Sequence, residues 1–256
     1  MKPKLTLFDV FSYSCMNCLR SLDFIKKIDN KYKKFGLETI IIHPPEWEFE
    51  KNKNNIRLAS KKYSINFPIK IDSNYKIIKK FNISFWPAQI LINGKKVIYR
   101  HIGEGSYKEL ENFIIKNLNI KSKKLFNNEP LYTKFPTIYC GKRKHGKIKL
   151  LDNRNKLKFG IIYLNRSWIQ KKEYIQSLKN NSSLTIVTEG KIINFVAKAL
   201  NNKVVKVKIT LNNKIINNLS IKNPQLYQII KLKNDKETKL TLITDKNTAI
   251  FSFSFQ

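Results

Sequence analysis

Phe8-Asp9-Val10-Phe11-Ser12-Tyr13-Ser14-Cys15-Met16-Asn17-Cys18 is the stretch on which the fold turns. An apolar run that begins at Lys4 passes into a short turn, and two cysteines then open a segment of helical periodicity. Cys15 is expected in the first helical turn, where free backbone N–H groups and the helix dipole favour a thiolate over a thiol. The thiolate is the species that attacks a disulfide, so Cys15 is the expected nucleophile. Cys18, one turn further in, is expected to be more enclosed and to resolve a mixed disulfide. The same C-x-x-C could be half of a zinc site, but a structural site needs about four ligands. Cys140, His43, His101 and His145 are the other candidates, and none stands in a paired spacing. No metal and no separate cofactor is therefore expected, and the redox-active group is the Cys15–Cys18 pair.

Downstream of the cysteines, Leu22, Ile25, Ile28, Tyr32 and Phe35 recur at three or four residues, and Gly36 stands where a helix stops. Leu37 to Ile42 reads as a second strand, apolar on both faces at Ile40-Ile41-Ile42 like the centre of a covered sheet. Strand, helix and strand make a right-handed βαβ unit. His43-Pro44-Pro45-Glu46 ends that strand and places Glu46 at the carboxyl edge of the sheet, the edge that also carries the cysteines. A basic helix at about 50–63, a short strand at 67–71 and a short helix at 75–81 follow. Trp86-Pro87 then precedes an apolar strand, a place where the cis form costs only about 0.5–1 kcal/mol. Asn93-Gly94 predicts a type I′ hairpin joining Gln89–Ile92 to Lys95–Arg100. Tyr107 to Leu118 closes this half as a helix.

The chain of 256 residues carries a formal charge of +32 and is 42% hydrophobic, enough for real cores. Lysine is scattered along nearly every segment and asparagine and isoleucine are equally inflated, so specific nucleic-acid binding is not expected. No run approaches the ~18 apolar residues of a membrane span. Met1-Lys2-Pro3-Lys4-Leu5 leads straight into a strand, and the expectation for the chain as written is a soluble, cytoplasmic protein. Three cysteines, two of them in one C-x-x-C, do not make a disulfide scaffold.

Beyond Asn119 the sequence turns rich in lysine and asparagine, and residues 121–136 read as a linker. The pattern then becomes β, with candidate strands at Lys158–Leu164, Ser183–Val187, Ile192–Leu200, Val204–Leu211, Leu226–Leu232, Lys239–Thr244 and Ala249–Phe255. Asn212-Asn213 is a plausible two-residue turn. About seven short strands suggest a β-sandwich. Cys140, with no second cysteine near it in sequence, reads as a bystander.

The order of elements in residues 1–120 resembles the thioredoxin fold, and the long interval from Cys18 to Pro87 resembles its TlpA-like branch. Phe11–Leu22, His43-Pro44-Pro45-Glu46-Trp47-Glu48-Phe49-Glu50, Trp86-Pro87-Ala88 and His101-Ile102-Gly103-Glu104-Gly105 together resemble the thioredoxin-like part of DipZ-type proteins. Asn165-Arg166-Ser167-Trp168, Pro224–Gln228 and Ala249–Phe253 resemble their C-terminal, carbohydrate-module-like sandwich at 137–256. Phe11, Met16 and Pro44 depart from the usual Trp, Ile and Thr, and none of these removes a reacting group. The resemblance implies an α/β redox domain followed by an all-β sandwich. It implies a thiol–disulfide oxidoreductase acting on protein thiols and disulfides, a reductase or relay rather than an oxidase. Asp9, six residues before Cys15, stands at the place of the buried acid of thioredoxins and is the first candidate to take the proton from Cys18. Glu46 is the second. Pro87 stands at the cis-proline facing the cysteines, where a substrate chain could pair as an added strand. Trp86 would wall that groove, or pack in the core, and Tyr13 would flank it. The membrane electron-transfer part of the family is not in this sequence; the resemblance leaves the electron donor unidentified and offers a CcdA-like membrane protein as the candidate. An upstream segment would make the setting extracytoplasmic. The rival reading is a non-catalytic scaffold whose sandwich holds a glycan or protein. Its candidate sugar-stacking rings, Trp168, Tyr174 and Tyr227, are expected to be core.

Overall fold

The computed structural model describes residues 4–126, 136–152, 156–233 and 237–255. The chain divides into two compact units, Met1–Tyr132 and Thr133–Gln256. In the first, β1 (Leu5–Val10) leads through α1 (Met16–Tyr32) to β2 (Leu37–His43), and α2 (Lys53–Lys62), β3 (Ile69–Ile71) and α3 (Lys76–Lys80) follow. The hairpin of β4 (Ala88–Asn93) and β5 (Lys96–Ile102) and the helix α4 (Tyr107–Leu118) complete it. The sheet runs β3-β2-β1-β4-β5. β1, β2 and β3 are parallel, β4 is antiparallel to β1, and β5 is antiparallel to β4. With the Trp86–Pro87 peptide bond cis just before β4, this is the thioredoxin fold.

Strand alternation decides which side chains meet. Leu5 and Leu7 point to one face of β1 and pack with Ile25, Ile28 and Tyr32 of α1 and with Leu110 and Ile114 of α4. Phe8 and Val10 point to the other face and pack with Ile40, Ile42 and Ile78. Each fully buried aliphatic of this kind contributes roughly 1.5–3 kcal/mol. Asp9 alternates with Leu5 and Leu7, so the pleat carries its carboxyl onto the face that α1 and α4 cover.

Three local expectations are corrected. Cys15 is the N-cap of α1 rather than a residue of its first turn, and the α-helix ends at Tyr32. A 3₁₀ turn at Lys33–Phe35 then closes on Gly36, whose φ of 105° is the left-handed conformation a helix stop favours. The β4–β5 turn is Gly94-Lys95, because Asn93 pairs with Lys96. Gly94 has φ 59°, and neither Asn93 nor Lys95 has a positive φ. A positive φ at the first central position alone is the II′ pattern, not I′. The segment after α4 is not a free linker at its start. Leu125 N–H donates to the buried Glu111 carboxylate at 2.7 and 2.9 Å and Phe126 N–H at 3.2 Å. Phe126 is buried against Phe24 and Tyr107. Most of the remaining linker, residues 127–135, lies outside the described residues.

The second unit is a β-sandwich. One sheet runs β15 (Gln225–Lys231), β12 (Ile192–Ala199), β17 (Thr248–Phe255), β10 (Ile175–Ser177) and β9 (Trp168–Gln170), with β6 (Ile138–Tyr139) also pairing β17. The other runs β14 (Lys214–Ile221), β13 (Val205–Leu211), β16 (Thr238–Thr244), β11 (Ser182–Thr188), β8 (Ile162–Leu164) and β7 (Ile148–Leu150). Leu184, Ile186, Phe195, Ile209, Leu242 and Phe253 fill the core. Seven strands were expected, and β6, β7, β9, β10 and β14 are additional. Four of these are only two or three residues long, and β14 is an edge strand whose first three residues are exposed, so only its end, Leu219 and Ile221, carries the apolar alternation that betrays a strand. The expected strand at Lys158 begins only at Ile162, after Gly160 at φ 77°. The Asn212-Asn213 turn is as expected, with both residues at positive φ, the I′ pattern. β17 is buried along its whole length, on both faces.

Candidate active site

The turn after β1 delivers Cys15 to the N-terminus of α1. Cys15 N–H donates to the Ser12 carbonyl at 3.1 Å, and the Cys15 carbonyl accepts from Leu19 N–H at 3.0 Å. Its sulfur is the capping acceptor, 3.3 Å from the Cys18 backbone nitrogen. Cys15 is half-buried and Cys18 fully buried, and both are free thiols. Burial pushes the Cys18 thiol well above its usual range. Its hydrogen bond to Cys15 and the charges of Cys15 and Glu46 add to that shift. A substrate can therefore reach Cys15 directly, whereas Cys18 is reached only through Cys15.

The loop before β4 meets the cysteines from the other side. Cys15 Sγ lies 4.0 Å from the carbonyl oxygen of Trp86, the residue joined in cis to Pro87. Trp86 is half-buried, and its indole N–H donates to Glu46 Oε2 at 3.3 Å. Cys15, Cys18, Glu46, Trp86 and Pro87 thus gather at one edge of the sheet. Phe85, next in the loop, is 59% exposed.

Tyr13 is not part of this surface. It is 2% exposed, its ring stacked on His43 at 5.6 Å and packed near Phe49 at 6.1 Å. The serines on either side of it are held by a buried carboxylate. Glu50 is fully buried and accepts from Ser12 Oγ at 2.8 Å, Ser14 Oγ at 2.6 Å, Ser14 N–H at 3.2 Å and Glu46 N–H at 2.6 Å. One side chain thus fixes the turn before Cys15 and the backbone of Glu46, and it draws the Ser12–Ser14 segment inward. Burial raises the Glu50 carboxyl above its usual range, and the hydrogen bonds from Ser14 and Ser12 oppose it. The available signal was Glu50 itself, the second of two acids that alternate with aromatics in Trp47-Glu48-Phe49-Glu50.

Asp9 is fully buried, and burial lifts its carboxyl to about 7, a rise opposed by the Gln89 amide. Gln89 Nε2 donates to Asp9 Oδ1 at 3.1 Å, while Asp9 Oδ2 has no hydrogen-bond partner. His43 is the last residue of β2 and is buried with neither ring nitrogen bonded. Burial lowers it to about 4, so it is neutral at physiological pH. Arg20 of α1 clamps Glu104 through two 2.7 Å bonds and reaches Asn17 at 2.6 Å, tying the cysteine helix to the loop before α4. Among the described residues no three His, Cys, Asp or Glu side chains gather as a metal site.

In the second unit Trp168 is buried with its indole N–H on the Ser183 carbonyl at 2.9 Å. Tyr174 packs on Phe251 at 5.1 Å and Tyr227 on Phe195 at 5.9 Å. The three rings are thus engaged in packing rather than set out as a stacking platform. Cys140 is fully buried in the sandwich core.

Residues 139–255 match the family model described as "Thioredoxin like C-terminal domain". The chain is similar to protein DipZ of Mycobacterium tuberculosis, 35% identical over 121 residues, which cover 46% of this chain and 17% of that protein. It is also similar to thiol-disulfide oxidoreductase ResA of Bacillus cereus, 29% identical over 117 residues, 45% of this chain and 65% of that one. The chain thus spans less than two thirds of the length of either relative. Among solved structures StoA from Bacillus subtilis superimposes with a TM-score of 0.38 at 17% identity, covering 44% of this chain and 84% of that one.

Proposed function

We propose that the chain is a thiol–disulfide oxidoreductase that reduces disulfides in other proteins through Cys15 and Cys18. The observation that carries the reading is the half-exposed Cys15 sulfur at the cap of α1, 4.0 Å from the carbonyl that precedes cis-Pro87, with a buried thiol one turn behind it. Cys15, as thiolate, attacks one sulfur of a substrate disulfide. That bond breaks, a mixed disulfide forms, and the first substrate thiolate leaves and is protonated. Cys18 then gives up its proton and attacks Cys15 Sγ, which releases the second substrate thiolate. The substrate gains two electrons and two protons, and the chain keeps a Cys15–Cys18 disulfide.

The reductive direction is taken from the DipZ-type resemblance, and the reduction potential decides it, because strong oxidants of this chemistry stabilise their reduced, thiolate form. Renewal of the dithiol requires a dithiol donor, and the DipZ-type resemblance points to a CcdA-like membrane protein. Loss of two thiols, or two reducing equivalents, per Cys15–Cys18 pair during insulin reduction, with a potential near or below that of a reductive thioredoxin at about −270 mV, tests the direction. A potential near −120 mV would instead mark an oxidase.

Asp9 is the proposed acceptor for the Cys18 proton, since a carboxyl held near 7 exchanges protons readily at neutral pH. Asp9→Asn is expected to slow resolution of the mixed disulfide by about tenfold or more near pH 7. The difference should shrink at high pH, where solvent takes the proton, and at low pH, where Asp9 is itself protonated. Stability should respond with the opposite sign. A carboxyl raised in the folded state stabilises the fold below its unfolded value of ~4, and that contribution is lost as pH rises through about 7. Asp9→Asn should therefore raise the melting temperature relative to wild type at pH 8 more than at pH 5. Equal shifts at both pH values would remove Asp9 as a buried titrating acid. Glu46 remains the second candidate, through its charge on Cys18.

A further inference from the structure

We propose that Gln89 is a positioning residue for this proton transfer: its side-chain amide holds the Asp9 carboxylate and couples it to Ser21 on the cysteine-bearing helix. The inference rests on the oxidoreductase reading and adds to it a residue with no titratable group of its own.

Asp9 and Gln89 face each other across the antiparallel β1–β4 ladder, on the face covered by α1 and α4. Gln89 is 1% exposed, and Asp9 and Ser21 are fully buried. Gln89 Nε2 donates to Asp9 Oδ1 at 3.1 Å and to Ser21 Oγ at 3.2 Å. An amide nitrogen carries two hydrogens, and both find acceptors here. Ser21 lies one turn beyond Cys18 on the buried face of α1. Gln89 lies two residues beyond cis-Pro87. The amide therefore links three parts of the reaction centre: the strand of the acid, the helix of the resolving thiol, and the strand that continues the proline loop.

An amide is suited to this place because it donates to a carboxylate without adding charge. In a buried site such a donor favours the ionised carboxylate. It also leaves Asp9 Oδ2 unoccupied, so one oxygen is held and the other is open to a proton. Other groups act on the site. On α1 the buried Cys18 is the source of the proton in the proposed reaction. On α4 the Tyr107 phenol is pushed up to about 12 by burial, with the Asp9 and Glu104 charges adding. The Glu104 charge is itself matched by Arg20 at 2.7 Å, and β2 presents the apolar Ile41 opposite Asp9. Gln89 is thus the neutral donor that keeps the Asp9 anion accessible near neutrality.

The test is Gln89→Met in the full chain, which keeps the volume and removes the donor. The Asp9 carboxyl is followed by ¹³C NMR against pH, and mixed-disulfide resolution is timed over the same range. The Asp9 midpoint is expected to rise by about one pH unit, and the acid limb of the rate profile to move with it. Ser21→Ala, a smaller change that removes only the second anchor, is expected to move both in the same direction by less, and it carries the test should Gln89→Met not fold. An Asp9 midpoint unchanged in the folded variants, or a shifted midpoint with an unmoved rate profile, overturns the role of Gln89. A wild-type chain that reduces no disulfide at any pH, with the Asp9 shift still present, overturns the oxidoreductase reading and with it the role built on it.

Discussion

Cys15→Ser should bring insulin-disulfide reduction down to the uncatalysed background, while Cys18→Ser should accumulate mixed disulfides at Cys15. The asymmetry follows from burial. Cys15 is the half-exposed sulfur beside the proline loop, and Cys18 is fully buried behind it. A hydroxyl at position 15 leaves no sulfur that a protein substrate can reach. A hydroxyl at position 18 leaves the first attack intact and removes only the second, so the covalent intermediate persists. Mass spectrometry under non-reducing conditions distinguishes them: an adduct on Cys18→Ser, and none on Cys15→Ser. Comparable residual turnover in both variants would sink the assignment of roles. The same trap identifies substrates, because the partner leaves with the chain on a non-reducing gel.

Glu50→Ala is the second large effect, and it acts on the frame of the site. Glu50 accepts from two serine hydroxyls and two backbone N–H groups. Alanine would strand these buried donors, at about 1–3 kcal/mol for each that finds no other partner. A loss of roughly 3 kcal/mol or more of stability is expected on that basis, read as a lowered urea midpoint of the first unit. Exchange should fall with it, because the turn that presents Cys15 and the backbone of Glu46 share this one anchor. Glu50→Gln keeps the shape and one acceptor oxygen for Ser12 and Ser14 but turns its NH2 toward Glu46 N–H, so it should cost less than alanine without being neutral. A Glu50→Ala chain with an unchanged urea midpoint and unchanged Cys15 alkylation rate would show that Glu50 anchors nothing.

The elements that sequence reasoning recovered share a physical feature, which is that their causes are local. The helix face of Leu22, Ile25, Ile28 and Tyr32, its stop at Gly36 and the closing helix Tyr107–Leu118 come from periodicity and single residues with special backbone freedom. The C-x-x-C at a strand-to-helix junction and the proline before β4 are local in the same sense, and their spacing carried the resemblance. Local signals also misled. Asn93-Gly94 looks like a turn, yet the pairing of Asn93 with Lys96 moves the turn one residue along. Tyr13 beside the cysteines looks like a groove wall, yet a carboxylate 36 residues from Ser14 turns that segment inward. β14 alternates only at its end, where Leu219 and Ile221 face the core, because the exposed start of an edge strand needs no apolar face.

From residues alone came the two sulfur positions, the βαβ start, the cis-proline place and the change to an all-β second half. Only the three-dimensional structure decided which polar groups are shut away from water and with whom. Asp9, Gln89 and Ser21 come from two strands and a helix, and their meeting depends on the pleat of β1, the register of β1 against β4 and the face that α1 presents. Glu50 depends likewise on how the loop after β2 folds over the turn before α1. A buried polar group must find its partner wherever the tertiary fold brings one, and that partner is set by long-range packing, which no short window of sequence contains.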